Sequence, residues 1–362
     1  MIEEFAMDTQ WMKECWDRLL SRGRGVERRE SNRAFNAQRR AMLAGLAAAP
    51  LAAIPALARE ASGTATGWQA PKVEGVKGKL PRGKIGNLEI TRLIFGSNLI
   101  SGYSHARDLI YVSSLFRAYN TEAKIFETIA TAELAGINTV LVNCRELEQI
   151  EKCRQVTGNK LQTMVQVYPS KRDVTSDIDK TIDSGAATMY VQGAIADRLV
   201  RTKQFDVLEK ALRHIQDQGY PGGIGAHSIQ VPIACEERGL NPDYYVKTCH
   251  HDQYWSAHPV EKRAEFSVDG MASQDHNEYH DNIFDLFPEQ TAEFMQTVEK
   301  PWVGFKVLAG GAIHPREGFP YAFQSGADFI CVGMFDWQIV DDVNIALDAI
   351  ESAQGRDRPW RA

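Results

Sequence analysis

Residues 203–226, KQFDVLEKALRHIQDQGYPGGIGA, set a helix directly before a strand, and that pairing decides the class of fold. Phe205, Leu208, Leu212 and Ile215 recur at helical spacing. Gly219 stands where a helix ends. Residues 222–226 then form a short apolar run of the kind a strand covered on both faces requires.

The same alternation extends outward in both directions. Strands are predicted at 91–96 (TRLIFG), 138–143 (NTVLVN), 162–167 (QTMVQV), 187–192 (ATMYVQ) and 222–226 (GGIGA). Three more follow at 244–249 (YYVKTC), 302–307 (WVGFKV) and 328–333 (DFICVG). Between them lie amphipathic stretches such as 121–136, TEAKIFETIATAELAG. Eight strands, seven of them followed by helical patterns, predict an α/β fold, a (β/α)₈ TIM barrel. The competing open sheet usually carries a Gly-rich fingerprint after its first strand, and FGSNLISG is not one. The connection after the sixth strand, 250 to about 288, exceeds the ~15 residues of an ordinary loop. Its Trp255, Phe266, Tyr279 and Phe284 make it read as an ordered lid.

The first 58 residues are set aside from the fold. Arginines at 22, 24, 28, 29, 33, 39 and 40 lead into AMLAGLAAAPLAAIPAL (41–57), and Ala-Leu-Ala at 56–58 suits a signal peptidase. Arg39–Arg40 before this stretch resembles a twin-arginine export signal, which implies the Tat machinery as partner of the precursor and a periplasmic location. The alternative is a membrane anchor, for which 17 Ala-rich residues with two prolines are short. Residues 59–80 read as a flexible lead-in and 81–362 as a single barrel domain. The formal charge of −6 argues against nucleic acid as a partner. Beyond the leader the cysteines are 144, 153, 235, 249 and 331. They are odd in number and without CxxC, so they indicate neither a disulfide framework nor a zinc ribbon.

Six of nine histidines fall between 227 and 280, and Lys306 follows. A barrel gathers its catalytic groups at the C-terminal strand ends, which here carry Asn98, Asn143, Arg145, Glu146, Tyr168, Gln192, His227, His250, His251 and Lys306. Lys306 sits among apolar neighbours, and a partly desolvated lysine serves as base, Schiff-base nucleophile or fixed cation. The plain alternative is a lysine snorkelling to solvent. His227, His250 and Glu146 are candidate ligands for Zn²⁺, Fe²⁺ or Mn²⁺. His276 and His280, spaced i, i+4 beside Asp275 and Asp281, are a second such pair. Aromatic faces at Tyr168 and Trp255, beside Asn98, Asn143, Arg145 and Gln192, suit a sugar-like small molecule.

Four stretches resemble the aldo-keto reductases. They are PRGKIGNLEITRLIFGSN (81–98), EKALRHIQDQGYPGGIGAHS (209–228), FKVLAGGAI (305–313) and FICVGMFDWQIVDDVNIALDAI (329–350). The resemblance implies a β-hairpin below the barrel. It also implies a cofactor side near Leu308–Gly311, with Gly310, Gly311 and Gly333 as the backbone candidates. That family uses Asp, Tyr, Lys and His to protonate a carbonyl oxygen as hydride arrives. Here the corresponding places hold Asn143-Cys144-Arg145, Tyr168-Pro169 and Gln192-Gly193. The final loop, Met334-Phe335-Asp336-Trp337, lacks the basic and hydroxyl residues that would hold an NADP 2′-phosphate.

The sequence therefore implies an exported barrel enzyme acting on a carbohydrate-like carbonyl or hydroxy substrate by acid/base chemistry, as a lyase, hydratase or isomerase. Lys306, His227, His250 and His251 are the catalytic candidates. An NAD(P)-dependent oxidoreductase with relocated groups and a non-catalytic binding barrel are the alternatives.

Overall fold

The computed structural model describes residues 67–105, 109–266 and 284–362. Residues 1–58, expected as a signal, and the pair His276 and His280 lie outside them. The first strands form a hairpin, β1 (Arg82–Ile85) and β2 (Leu88–Thr91), paired antiparallel. Its turn needs the left-handed backbone of Gly86, φ 57°. Strand alternation turns Ile85 and Ile90 inward, and both are essentially buried. They close the bottom of a core made by Ile94, Leu141, Met164, Tyr190, Tyr244, Val246, Val303 and Phe329.

Eight strands follow: β3 (Leu93–Gly96), β4 (Thr139–Asn143), β5 (Gln162–Val167), β6 (Thr188–Val191), β7 (Gly222–Ala226), β8 (Tyr244–Thr248), β9 (Trp302–Phe305) and β10 (Phe329–Val332). Each pairs in parallel with the next, and β10 pairs with β3, so the barrel closes. The described residues also hold eleven α-helices. They are α1 (Asn98–Ser101), α2 (Ile110–Tyr119), α3 (Glu122–Leu134), α4 (Leu147–Thr157), α5 (Ser176–Asp183) and α6 (Gly193–Arg201), then α7 (Phe205–Asp217), α8 (Gln230–Glu237), α9 (Pro288–Thr297), α10 (Pro315–Gln324) and α11 (Ile339–Ser352). None is long and apolar enough to cross a membrane.

The stretch 203–226 shows how the sequence sets the packing. α7 buries Val207, Leu208, Ala211, Leu212 and Ile215, each large aliphatic among them stabilising by about 1.5–3 kcal/mol. It lies so close to β7 that a Cβ at Gly222 would sit 2.9 Å from Leu212. On the other face a Cβ at Gly223 would sit 2.5 Å from the Tyr244 ring. The strand is glycine-rich because a helix and a tyrosine press on it from both sides.

The bottom is tied together by charge. Asp328 is wholly buried and accepts from Arg356 (3.1 Å), Arg358 (2.8 Å) and the amides of Trp302 (3.0 Å) and Arg361 (2.8 Å). The Trp360 ring lies between the guanidinia of Arg92 (3.9 Å) and Arg356 (3.5 Å). Residues 67–80, expected as a flexible lead-in, run along α11. Trp68, Val73 and Val76 pack on the core, and Lys77 bonds Asn344 and Asp348.

Candidate active site at the barrel mouth

Alternation along the strands fixes what reaches the mouth. Leu141 and Met164 point into the barrel, so Asn143 and Gln166, two residues on, also face inward, as does Tyr168 beyond the strand. There they bond in series. Asn143 Nδ2 donates to the Tyr168 hydroxyl at 2.5 Å, and that hydroxyl donates to Gln166 Oε1 at 3.1 Å. Burial raises the Tyr168 phenol well above its ordinary pKa, which keeps it a donor.

Glu146 begins the turn into α4. Its Oε2 accepts the Asn143 amide at 2.8 Å, and the Ser97 and Ser101 side chains favour its charged form. Burial lifts its carboxyl to about 7, against the lowering effect of those groups. Arg145, between them, is exposed, with its guanidinium 5.2 Å from the Tyr168 ring centroid. Gln192 caps α6, its Oε1 accepting from the Ile195 amide at 3.0 Å. Asn98 opens α1 as an exposed residue, 3.9 Å from a Cβ placed on Gly333.

His227 is buried at the end of β7. Its Nδ1 lies 2.8 Å from Asp197 on α6, and the same carboxylate accepts the amides of His227 (3.2 Å) and Ser228 (3.1 Å). A carboxylate at Nδ1 fixes the tautomer and directs the lone pair to Nε2. The ring also faces Phe305, 5.5 Å between centroids.

His250 has a different task. Its Nδ1 donates to the His251 carbonyl at 2.7 Å, while Nε2 accepts from the amides of Phe284 (3.0 Å) and Asp285 (2.9 Å). Burial lowers its pKa to about 3, and both ring nitrogens are spent on backbone. It joins the two ends of the long loop after β8 instead of presenting a nitrogen to the mouth. Two further contacts do the same. Lys247 meets Asp285 at 3.2 Å, and Arg263 bonds both Asp252 (2.7 Å) and the Leu286 carbonyl (2.8 Å). His251 is half-buried, its ring 5.3 Å from Tyr321. Trp255 is 90% exposed.

Lys306 follows β9 in the left-handed region, φ 56°, where a residue with a Cβ is strained. Its Nζ lies 3.1 Å from His105 Nε2 and 3.8 Å from the Phe284 ring centroid. The His105 ring packs on Phe284 (4.7 Å) and Tyr103 (5.0 Å). Gly310, φ 67°, leaves room for it, since a Cβ there would meet His105 Cβ at 3.0 Å. Gly311, φ 93°, is exposed with nothing within 4 Å of its own Cβ position.

The structure thus joins Lys306 to His105, and Asn143 to Tyr168 with Arg145 alongside. His227, His250 and Glu146 do not make a metal centre, and no group of three His, Cys, Asp or Glu among the described residues is placed to hold one. His105 and Asp197 carried no motif. For Asp197 a signal existed: it sits between Ala196 and Leu199 on the buried stripe of α6. All five described cysteines are free. Away from the mouth, α2 and the loop after β10 enclose an apolar groove of about 310 Å³, lined by Val112, Leu115, Phe116, Tyr119, Phe335 and Trp337. None of those side chains is a base or nucleophile at neutral pH.

No protein-family profile and no curated protein matches this chain. Among solved structures the likenesses found are distant. A Pseudomonas aeruginosa protein classed with the aldo-keto reductases is 14% identical, covers 76% of this chain and 99% of its own, and has a TM-score of 0.48. An aldo-keto reductase complexed with NADPH is 10% identical over 80% of this chain and 90% of its own, TM-score 0.45. The N-acetylneuraminic acid synthetase of Leptospira borgpetersenii, complexed with citrate, is 10% identical over 77% and 93%, TM-score 0.42. What each of these proteins binds belongs to that protein.

Proposed function

We propose that this barrel is an enzyme that moves a proton on a carbohydrate-like carbonyl or hydroxy compound, as an isomerase, lyase or hydratase. The observation that carries it is Lys306, strained at φ 56° and held 3.1 Å from the imidazole of His105. In this reading a Lys306 N–H donates to His105 Nε2. When a substrate oxygen takes over the ammonium's hydrogen bond, His105 Nε2 is released to accept the proton from the neighbouring carbon. The ammonium then stabilises the enolate oxygen. His227, held by Asp197, supplies a second oriented imidazole. Export to the periplasm, from the leader's resemblance, belongs to the same proposal.

The test is proton NMR in D₂O with aldoses, ketoses, aldonates and uronates. The protein is expected to exchange the hydrogen beside the carbonyl or carboxyl of at least one, and Lys306→Met to exchange it far more slowly. No exchange across the panel overturns the reading. NADPH consumption with carbonyl compounds would instead favour a reductase.

That second reading has one observation behind it, the turn at Gly310 and Gly311, whose left-handed glycines expose backbone after β9. The loop after β10 fits an NADP phosphate poorly. Asp336 already holds Lys124 (3.1 Å) and Tyr119 (2.6 Å), and Lys124 is further engaged by Glu127 (2.7 Å).

A further inference from the structure

We infer that Arg145 and Tyr168 form a carboxylate subsite, so that the mouth takes a sugar acid in preference to a neutral sugar. The inference rests on the proton-transfer reading for what happens to the substrate, but not for how it is held.

The backbone beneath Arg145 is fixed at three points. Asn143 Oδ1 accepts the Arg145 amide (2.9 Å), Glu146 Oε2 accepts the Asn143 amide (2.8 Å), and the Asn143 carbonyl accepts the Glu146 amide (2.9 Å). From this turn the guanidinium lies over the Tyr168 ring, 5.2 Å from its centroid. An arginine so stacked loses less freedom when it binds, and its fork matches a carboxylate in two bonds.

Arg145 forms no ion pair with an Asp or Glu among the described residues, and the neighbouring Asp177 is engaged by the Tyr168 amide at 3.3 Å. The buried arginines form such pairs: Arg263 pairs with Asp252, and Arg356 and Arg358 pair with Asp328. The adjacent Glu146 turns inward to Ser97 and Ser101 and is no counterion. The ring under the guanidinium carries the Tyr168 hydroxyl, a donor already oriented by Asn143 and Gln166. One cation and one neutral donor on a preformed turn suit a single carboxylate.

The topology then sets the rest of the ligand. β5, which Tyr168 follows directly, and β9, which precedes Lys306, are four places apart in a ring of eight strands. They face each other across the mouth. A substrate anchored by its acid at Arg145 extends its other carbons toward Lys306 and His105.

Calorimetric titration of the intact protein tests this, with five- and six-carbon aldonates and uronates against the corresponding aldoses and alditols. At least one acid is expected to bind about tenfold or more tightly than its neutral counterpart, a difference of about 1.4 kcal/mol. Arg145→Met is expected to remove that preference without moving the melting temperature, and Tyr168→Phe to reduce it. Equal binding of acid and neutral forms, no binding of any acid, or an Arg145→Met protein that keeps the preference overturns the subsite. An Arg145-dependent preference without D₂O exchange leaves the subsite standing and sinks the proton-transfer reading. Exchange without dependence on Arg145 does the reverse.

Discussion

His105 and Lys306 are 201 positions apart in sequence, yet Nε2 of one lies 3.1 Å from Nζ of the other. The contact spans the first and seventh barrel strands, and Phe284 packs against both partners. Lys306→Met should lower the D₂O exchange rate by roughly 10²–10⁴-fold, the usual scale of a general acid or base. His105→Phe should lower it comparably while keeping the packing on Phe284. A variant of either residue that retains most of the native rate would remove the pair from the chemistry.

Gly193 supports the other imidazole. A Cβ at this position would sit 3.1 Å from His227 Cε1 and 3.2 Å from its Nδ1, so Gly193→Ala should tilt the ring off Asp197. Activity should fall while the cost in stability stays within the 1–3 kcal/mol usual for overpacking. The histidine NMR signal of the Nδ1 proton would report the displacement, and an unmoved signal with lowered activity would point elsewhere.

His250 should make the fold sensitive to acid. Its folded pKa is about 3 against an ordinary 6.5, so below pH 6.5 the unfolded chain takes up a proton that the folded chain refuses. Stability from this group is full above 6.5 and is lost as pH falls toward 3, at up to about 1.4 kcal/mol per pH unit. His250→Leu removes that dependence but leaves the Phe284 and Asp285 amides unsatisfied, at about 1–3 kcal/mol for each. Urea midpoints at pH 7 and pH 5 would show a smaller acid loss in the variant than in the parent.

Glu146 acts in the opposite sense. Its folded pKa of about 7 lies above the ordinary 4.5, so its contribution is full below 4.5 and is lost as pH rises through 7. Glu146→Gln should therefore gain on the parent between pH 4.5 and pH 8, by up to about 3 kcal/mol. Asp342, also raised to about 7 by burial and by Asp341, should behave alike when changed to Asn. A gap between parent and Glu146→Gln that stays flat with pH would contradict the assignment.

Asp328 carries the largest predicted loss of stability. Asp328→Asn leaves Arg356 and Arg358 buried without a counter-charge, which costs about 3–5 kcal/mol when one partner of a buried pair is removed. Equilibrium unfolding in urea measures it, and a loss under 1 kcal/mol would show that water or the Trp360 ring compensates.

The barrel was legible because parallel strands covered on both faces leave short apolar runs. All eight expected runs contain a barrel strand, and 162–167 and 222–226 match to the residue. The hairpin followed from the resemblance of 81–98. The site was half legible. Strand ends placed Lys306, Asn143, Arg145 and Tyr168 at the mouth, since position along a strand fixes which end a residue occupies. What a ring does there depends on partners far along the chain. His250 is tied by amides 34 and 35 residues away, and its sequence neighbours give no hint of them. Asp197 resembles any helical acid until its buried stripe is noticed. His105 stands alone in SGYSHARD with no pattern to mark it.

The charge cluster around Asp328 sits at the opposite end of the barrel from Lys306, Tyr168 and Arg145. The buried ionic cluster of Asp328, Arg356 and Arg358 lies at one end and the candidate site at the other, a division the barrel architecture makes possible. Exposed mouth residues such as Arg145 can therefore change over generations without touching the cluster that ties the bottom. A lineage built this way inherits its scaffold and renegotiates its substrate.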